Sequence, residues 1–110
     1  MWVFLNDAFL SVVAHRDLEG MLLVRSRIEG DIERAIPGAE VFTNESADYL
    51  FRAVVSRDRF KECLCFAVDR IDYGNFKNSI EPEDLQRRRA YHDVWGVLAQ
   101  SYGAFGSGSS

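Results

Sequence analysis

The sequence predicts an α+β domain: an antiparallel sheet of four to five strands covered on one face by two helices, with an extra short helix. Three observations carry that prediction. Segments rich in β-branched and aromatic residues fill the first half of the chain, the stretch Ser56–Ile71 switches to helical spacing, and a second helical stretch closes the chain after Pro82. The nearest common architecture is ferredoxin-like, an analogy of layers that predicts no activity.

Trp2–Leu5 and Ala8–His15 read as strands joined through Asn6-Asp7, a pair that tolerates the left-handed geometry of a tight hairpin turn. After a turn at Asp17–Gly20, Met21–Arg27 alternates: Leu22, Val24 and Ser26 share one face, Leu23, Arg25 and Arg27 the other. GDIERAIPG, from Gly30, reads as the short helix. Asp31 is placed to cap it, Ile32, Ala35 and Ile36 share a side, and Pro37-Gly38 stops it. Glu40–Thr43 and Asp48–Val55 are strand-like around an Asn44-Glu45-Ser46 turn, and the second has apolar residues on both faces, as a central strand does.

The element expected to close the core is SRDRFKECLCFAVDRI. Phe60, Cys63, Leu64, Ala67, Val68 and Ile71 recur at about 100° per residue, and Ser56 can cap the first free amides. Cys63 and Cys65 diverge around the same helix, so they are not expected to pair or to share a metal. Beyond a loop at Asp72–Asn78, Pro82 suits the first turn of the last helix, Glu83 and Asp84 suit its positive end, and Gly103 suits its C-cap. Its apolar seam is Leu85, Tyr91, Val94, Trp95, Leu98 and Tyr102. Residues 1–103 are read as one domain and 104–110 as a flexible Gly/Ser tail.

A length of 110 residues fits one domain, and a hydrophobic fraction of 47% excludes disorder as the default state. The formal charge of -4 argues against a sequence-independent grip on nucleic acid, which needs a broadly basic surface. Arginine far outnumbers lysine, however, and a planar guanidinium suits fixed pairing with carboxylate or phosphate. The segment after Met1 lacks a signal-peptide pattern, and no stretch approaches the ~20 apolar residues of a membrane span. The chain is read as cytoplasmic, without a cofactor or a metal.

Four groups of residues could carry function. Alternation puts Arg25 and Arg27 on one sheet face, which Arg52 joins if the strands are neighbours, with Ser11 or His15 nearby; such a face could grip phosphate, or its arginines could pair with the domain's own acids. His15 and His92 each stand beside a carboxylate in sequence, but adjacent residues diverge on a strand or helix, so neither pair is a built acid–base dyad. The loop Asp72–Asn78 carries Asp72, Tyr73, Asn75, Phe76, Lys77 and Asn78, and either contacts a partner or plugs the space between the last two helices with Tyr73 and Phe76. The acids Glu29, Asp31, Glu33, Glu40 and Glu45 could gather around the short helix as a patch for a basic partner. Arg87-Arg88-Arg89 goes round the last helix and is read as a solvated face with one or two ion pairs.

WVFLND, VVAHRD, LLVRSRIEGDIERAIPGAEVF, DYLFRAVVSR, IDYGNFKNSI and AYHDVWGVL together resemble a family of short bacterial, plasmid and phage proteins of unknown function. The resemblance covers nearly everything up to Leu98 and carries over no catalytic residue. It implies a mobile-element context, in which small acidic proteins act as anti-CRISPR-like inhibitors. The first functional expectation is therefore a non-catalytic module that binds a host protein or nucleoprotein complex through Asp72–Asn78 and the acids near Asp31. The alternatives are a nucleic-acid or nucleotide binder using Arg25, Arg27 and Arg52, and a small enzyme in which His15 or His92 meets Asp72, Lys77 or Tyr91.

Overall fold

The computed structural model describes residues 1–103; the Gly/Ser tail read at 104–110 lies outside the described residues. The fold is α+β, with, among the described residues, five strands, β1 (Trp2–Leu5), β2 (Ala8–Ala14), β3 (Met21–Ser26), β4 (Phe42–Thr43) and β5 (Phe51–Ser56), and three α-helices, α1 (Asp31–Ala35), α2 (Arg57–Asp69) and α3 (Leu85–Tyr102). The strands form one sheet in the order β1-β2-β3-β5-β4, and every pairing is antiparallel. The ferredoxin-like analogy holds for the layers and not for the connectivity. The chain runs β-β-β-α-β-β-α before α3, whereas that plan runs β-α-β-β-α-β.

Contacts divide the chain into two units, Met1–Ile71 and the part from Asp72 onward. In the first, one sheet face carries Leu10, Val12, Leu22, Val24, Ala53 and Val55, and Ile32 and Ile36 from the α1 region and Phe60 and Cys63 from α2 pack onto it. The helix read as the extra short one is thus one of the two that cover this face. The hairpin turn at Asn6-Asp7 forms as expected, because Leu5 pairs directly with Ala8. β4 is shorter than Glu40–Thr43 and β5 starts at Phe51, since residues 44–50 close a broader turn in which the Asn44 amide donates to the Leu50 carbonyl at 2.9 Å.

Two local expectations in this unit need correction. Asp31 does not cap α1; Gly30 does, with φ of 91°, a left-handed conformation that a β-carbon would strain. Asp31 is instead buried at 1% exposure, where its Oδ2 accepts the Phe9 amide of β2 at 3.0 Å and its carboxylate pairs with Arg34. The apolar stripe of α2 is used only in its first half. Phe60 and Cys63 are buried and Leu64 packs against the core, but Val68 and Ile71 stay 64% and 55% exposed. Ser56 caps the helix as expected, its Oγ accepting the Arg59 amide at 3.1 Å.

In the second unit α3 begins at Leu85, so Pro82 lies ahead of it and Asp84 is the cap, its Oδ1 accepting the Arg87 amide at 3.2 Å. Gly103 closes α3 in the left-handed conformation expected of it. Of the predicted seam only Tyr91 is buried and Trp95 half-buried, while Leu85, Val94, Leu98 and Tyr102 are exposed. Arg87, expected in solvent, is 3% exposed; its Nε donates to Asp84 Oδ2 at 2.7 Å and its Nη1 to the Tyr91 hydroxyl at 3.3 Å.

The half-used stripe of α2 sets a stability contrast. Phe60→Ala should cost about 3–5 kcal/mol by opening a core cavity, whereas Val68→Ala should stay within about 0.5 kcal/mol. Urea unfolding midpoints of the two variants measure the difference, and equal losses would mean that the second half of the helix is packed as tightly as the first.

Candidate functional site

The sheet face opposite the core is built by the same alternation that buries Val24 and Ala53. Pairing sets Trp2 opposite Ser11, Ser11 opposite Arg25, Arg25 opposite Arg52, and Arg52 opposite Phe42. These five residues form one row across all five strands, about 19 Å long at the usual inter-strand spacing. The ends of the row are aromatic and open, with Trp2 68% and Phe42 48% exposed. Its middle is cationic. Beside it, Phe9 packs edge-on against Trp2 at 6.0 Å and at a 32° tilt against Phe4 at 4.7 Å between ring centroids.

Tyr49, in the turn before β5, organises the arginines. Its ring is 6% exposed and lies under two guanidinium groups, with the Cζ atoms of Arg25 and Arg27 at 4.8 and 4.3 Å from the ring centroid. Arg52 Nε donates to the Tyr49 carbonyl at 3.2 Å, Arg27 Nη1 to the Asp48 carbonyl at 2.8 Å, and Arg25 Nη2 to Ser11 Oγ at 2.7 Å. All three acceptors are neutral. Among the described residues none of these arginines has a carboxylate partner, and the buried Nε of Arg25 has no acceptor.

Like charges set directly opposite on neighbouring strands repel, and a guanidinium carries five donors that favour acceptors with negative charge. The arrangement therefore favours an anion that can bridge Arg25 and Arg52, and exposed aromatic surface on both sides would hold an apolar or planar portion of the same ligand. The account in which these arginines pair with the domain's own acids does not describe the contacts they make.

The other candidates are dispersed. His15 Nδ1 accepts the amides of Asp17 and Leu18, each at 3.1 Å, and so shapes the turn before β3. His92 stacks on Trp95 at 5.9 Å, and neither histidine lines the hollow on α3 formed by Leu85, Gln86, Arg89, Ala90 and Asp93 or the cavity at α1 and α2 described below. In the loop, Asn75 Oδ1 accepts the Asn78 amide at 3.1 Å, opening a 3₁₀ turn at Lys77–Ser79. Phe76 lies between Tyr73 at 5.9 Å and Tyr91 at 5.8 Å, stacked nearly parallel to the latter, and Lys77 Nζ stands 3.9 Å from the centre of the Trp95 ring. Asp72 and Asn78 are exposed. Glu29 and Glu33 are exposed as well, but Asp31 is enclosed and cannot join them in a surface patch. Among the described residues no group of His, Cys, Asp and Glu is placed to hold a metal ion, and no helix is long and apolar enough to cross a membrane.

Sequence reasoning found Arg25, Arg27, Arg52 and Ser11 and missed Trp2, Phe42 and Tyr49. The first two join the row only through strand order, and Tyr49 lies in a stretch whose alternation predicts a strand. The contacts of Phe76 lead to a direct expectation. Phe76→Ala removes a half-buried ring held by two others and should lower stability by about 1–3 kcal/mol, below the full-core value. An unchanged melting temperature would show that the stack contributes nothing to the second unit.

No protein-family model, curated protein or solved structure matches the chain. Residue roles here rest on geometry and chemistry alone.

Proposed function

We propose that the protein is a non-catalytic binding module whose working surface is the sheet face opposite the core, and that its ligand is a short stretch of single-stranded nucleic acid. The observation that carries this reading is the row Trp2, Ser11, Arg25, Arg52, Phe42, which sets two guanidinium groups between two exposed aromatics. Single strands are bound by cations that track the phosphates and rings on which bases stack. A formal charge of -4 gives the protein little long-range attraction for a polyanion, so binding has to come from local contacts and should be modest.

The reading as an inhibitor of a host nucleoprotein complex has less support. An acidic surface that imitates phosphates loses Asp31 to the interior, and Phe76 and Lys77 are engaged with side chains of α3.

Fluorescence anisotropy with a labelled single-stranded oligonucleotide at several salt concentrations tests the proposal. Three arginine contacts give a log–log salt slope of about -2, and Arg52→Ala should make it shallower by about 0.7. Trp2→Ala should weaken binding by about 1–3 kcal/mol with the slope unchanged, because stacking releases no counterions. Poly-glutamate serves as the competing anion. If it binds as tightly as the oligonucleotide, or if neither variant changes binding, the nucleic-acid reading fails.

A further inference from the structure

A second site lies on the other side of the first unit, at α1 and α2, and is independent of the sheet face. It is a cavity of about 270 Å³ whose lining includes Arg34, Pro37, Arg59, Cys63, Phe66 and Arg70. Three arginines line this one cavity, and their commitments differ. Arg34 is spent on structure: it pairs with Asp31, its Nε donates to the Asp7 carbonyl at 2.9 Å, and its guanidinium lies so close to Gly30 that a β-carbon there would stand 2.6 Å from Nη1. Arg59 is half committed, pairing with the exposed Glu62 and donating from Nη2 to the Pro37 carbonyl at 3.0 Å. Arg70 makes no side-chain hydrogen bond or ion pair among the described residues.

Beside these cations the Phe66 ring is 57% exposed, and the buried Cys63 thiol contributes to the wall. Burial pushes the Cys63 thiol above its ordinary value, against the opposing pull of Arg59 and Arg70 and with a smaller push from Glu62. The thiol stays protonated at neutral pH, so the cavity is suited to binding and not to nucleophilic chemistry. Its volume lies near the lower end of small-molecule sites, enough for one ring or short chain with a charged head.

We propose that this cavity binds a small organic oxyanion, a carboxylate or phosphate ester carrying one apolar group, with Arg70 and Arg59 holding the charge and Phe66 covering the apolar part. A guanidinium fork matches either oxyanion, and an exposed aromatic beside an uncommitted cation gives the apolar part somewhere to lie.

Isothermal titration with phenyl phosphate, benzoate and inorganic phosphate tests the proposal. One or both aryl anions should bind more tightly than inorganic phosphate, and the stronger of the two identifies the head group. Arg70→Ala, at an exposed position, should weaken aryl-anion binding by roughly ten- to a hundredfold, the range of one charge-assisted hydrogen bond. Phe66→Ala should reduce the aryl preference several-fold, and Arg16→Ala, at an exposed position outside both sites, should leave binding unchanged. Three results would overturn the assignment: no aryl anion binds, Arg52→Ala abolishes binding while Arg70→Ala does not, or inorganic phosphate binds as tightly as the aryl anions.

Discussion

The pairing of β3 with β5 is the constraint on which the rest depends. Leu22 faces Val55 and Val24 faces Ala53 on the buried side, where Val24 and Ala53 have no exposed surface. Burying a valine or leucine side chain stabilises the fold by about 1.5–3 kcal/mol, and a one-residue slip would turn each of these residues to the other face. The register is therefore held by the core. Once it is held, Arg25 and Arg52 have to stand opposite each other on the other face. Their mutual repulsion is small beside the apolar burial that enforces it.

Asp31 shows the same priority of packing over local preference. A surface cap would have kept its carboxylate in water, but here it joins α1 to β2 by accepting the Phe9 amide, with Arg34 compensating its charge. A buried carboxylate without that partner would be costly, so Arg34 belongs to the scaffold even though it also lines the cavity at α1 and α2. The two proposed sites thus lie on opposite layers of one unit and draw on different arginines.

Much of the scaffold was legible in the sequence because it depends on local chemistry. Alternation placed β3 and β5, the Asn6-Asp7 turn fixed the first hairpin, Ser56 capped α2 and Gly103 ended α3. What could not be read is tertiary. Helical spacing shows that Val68 and Ile71 share a stripe with Phe60, but not that the sheet surface available to α2 is used up by its first half. Likewise, alternation gave the faces of Arg25 and Arg52, while their neighbourhood with Trp2 and Phe42 needed the strand order. Tyr49 escaped because its role comes from a turn that carries its ring to guanidinium groups of another strand.

The central claim is that the arginine row is the ligand-facing part of the molecule. The most direct test follows the arginine Nε–H signals of isotopically labelled protein by NMR while single-stranded oligonucleotide is added. The account predicts that Arg25 and Arg52 shift together, while Arg59 and Arg70 stay in place. Binding that leaves the signals of Arg25 and Arg52 unmoved would contradict it.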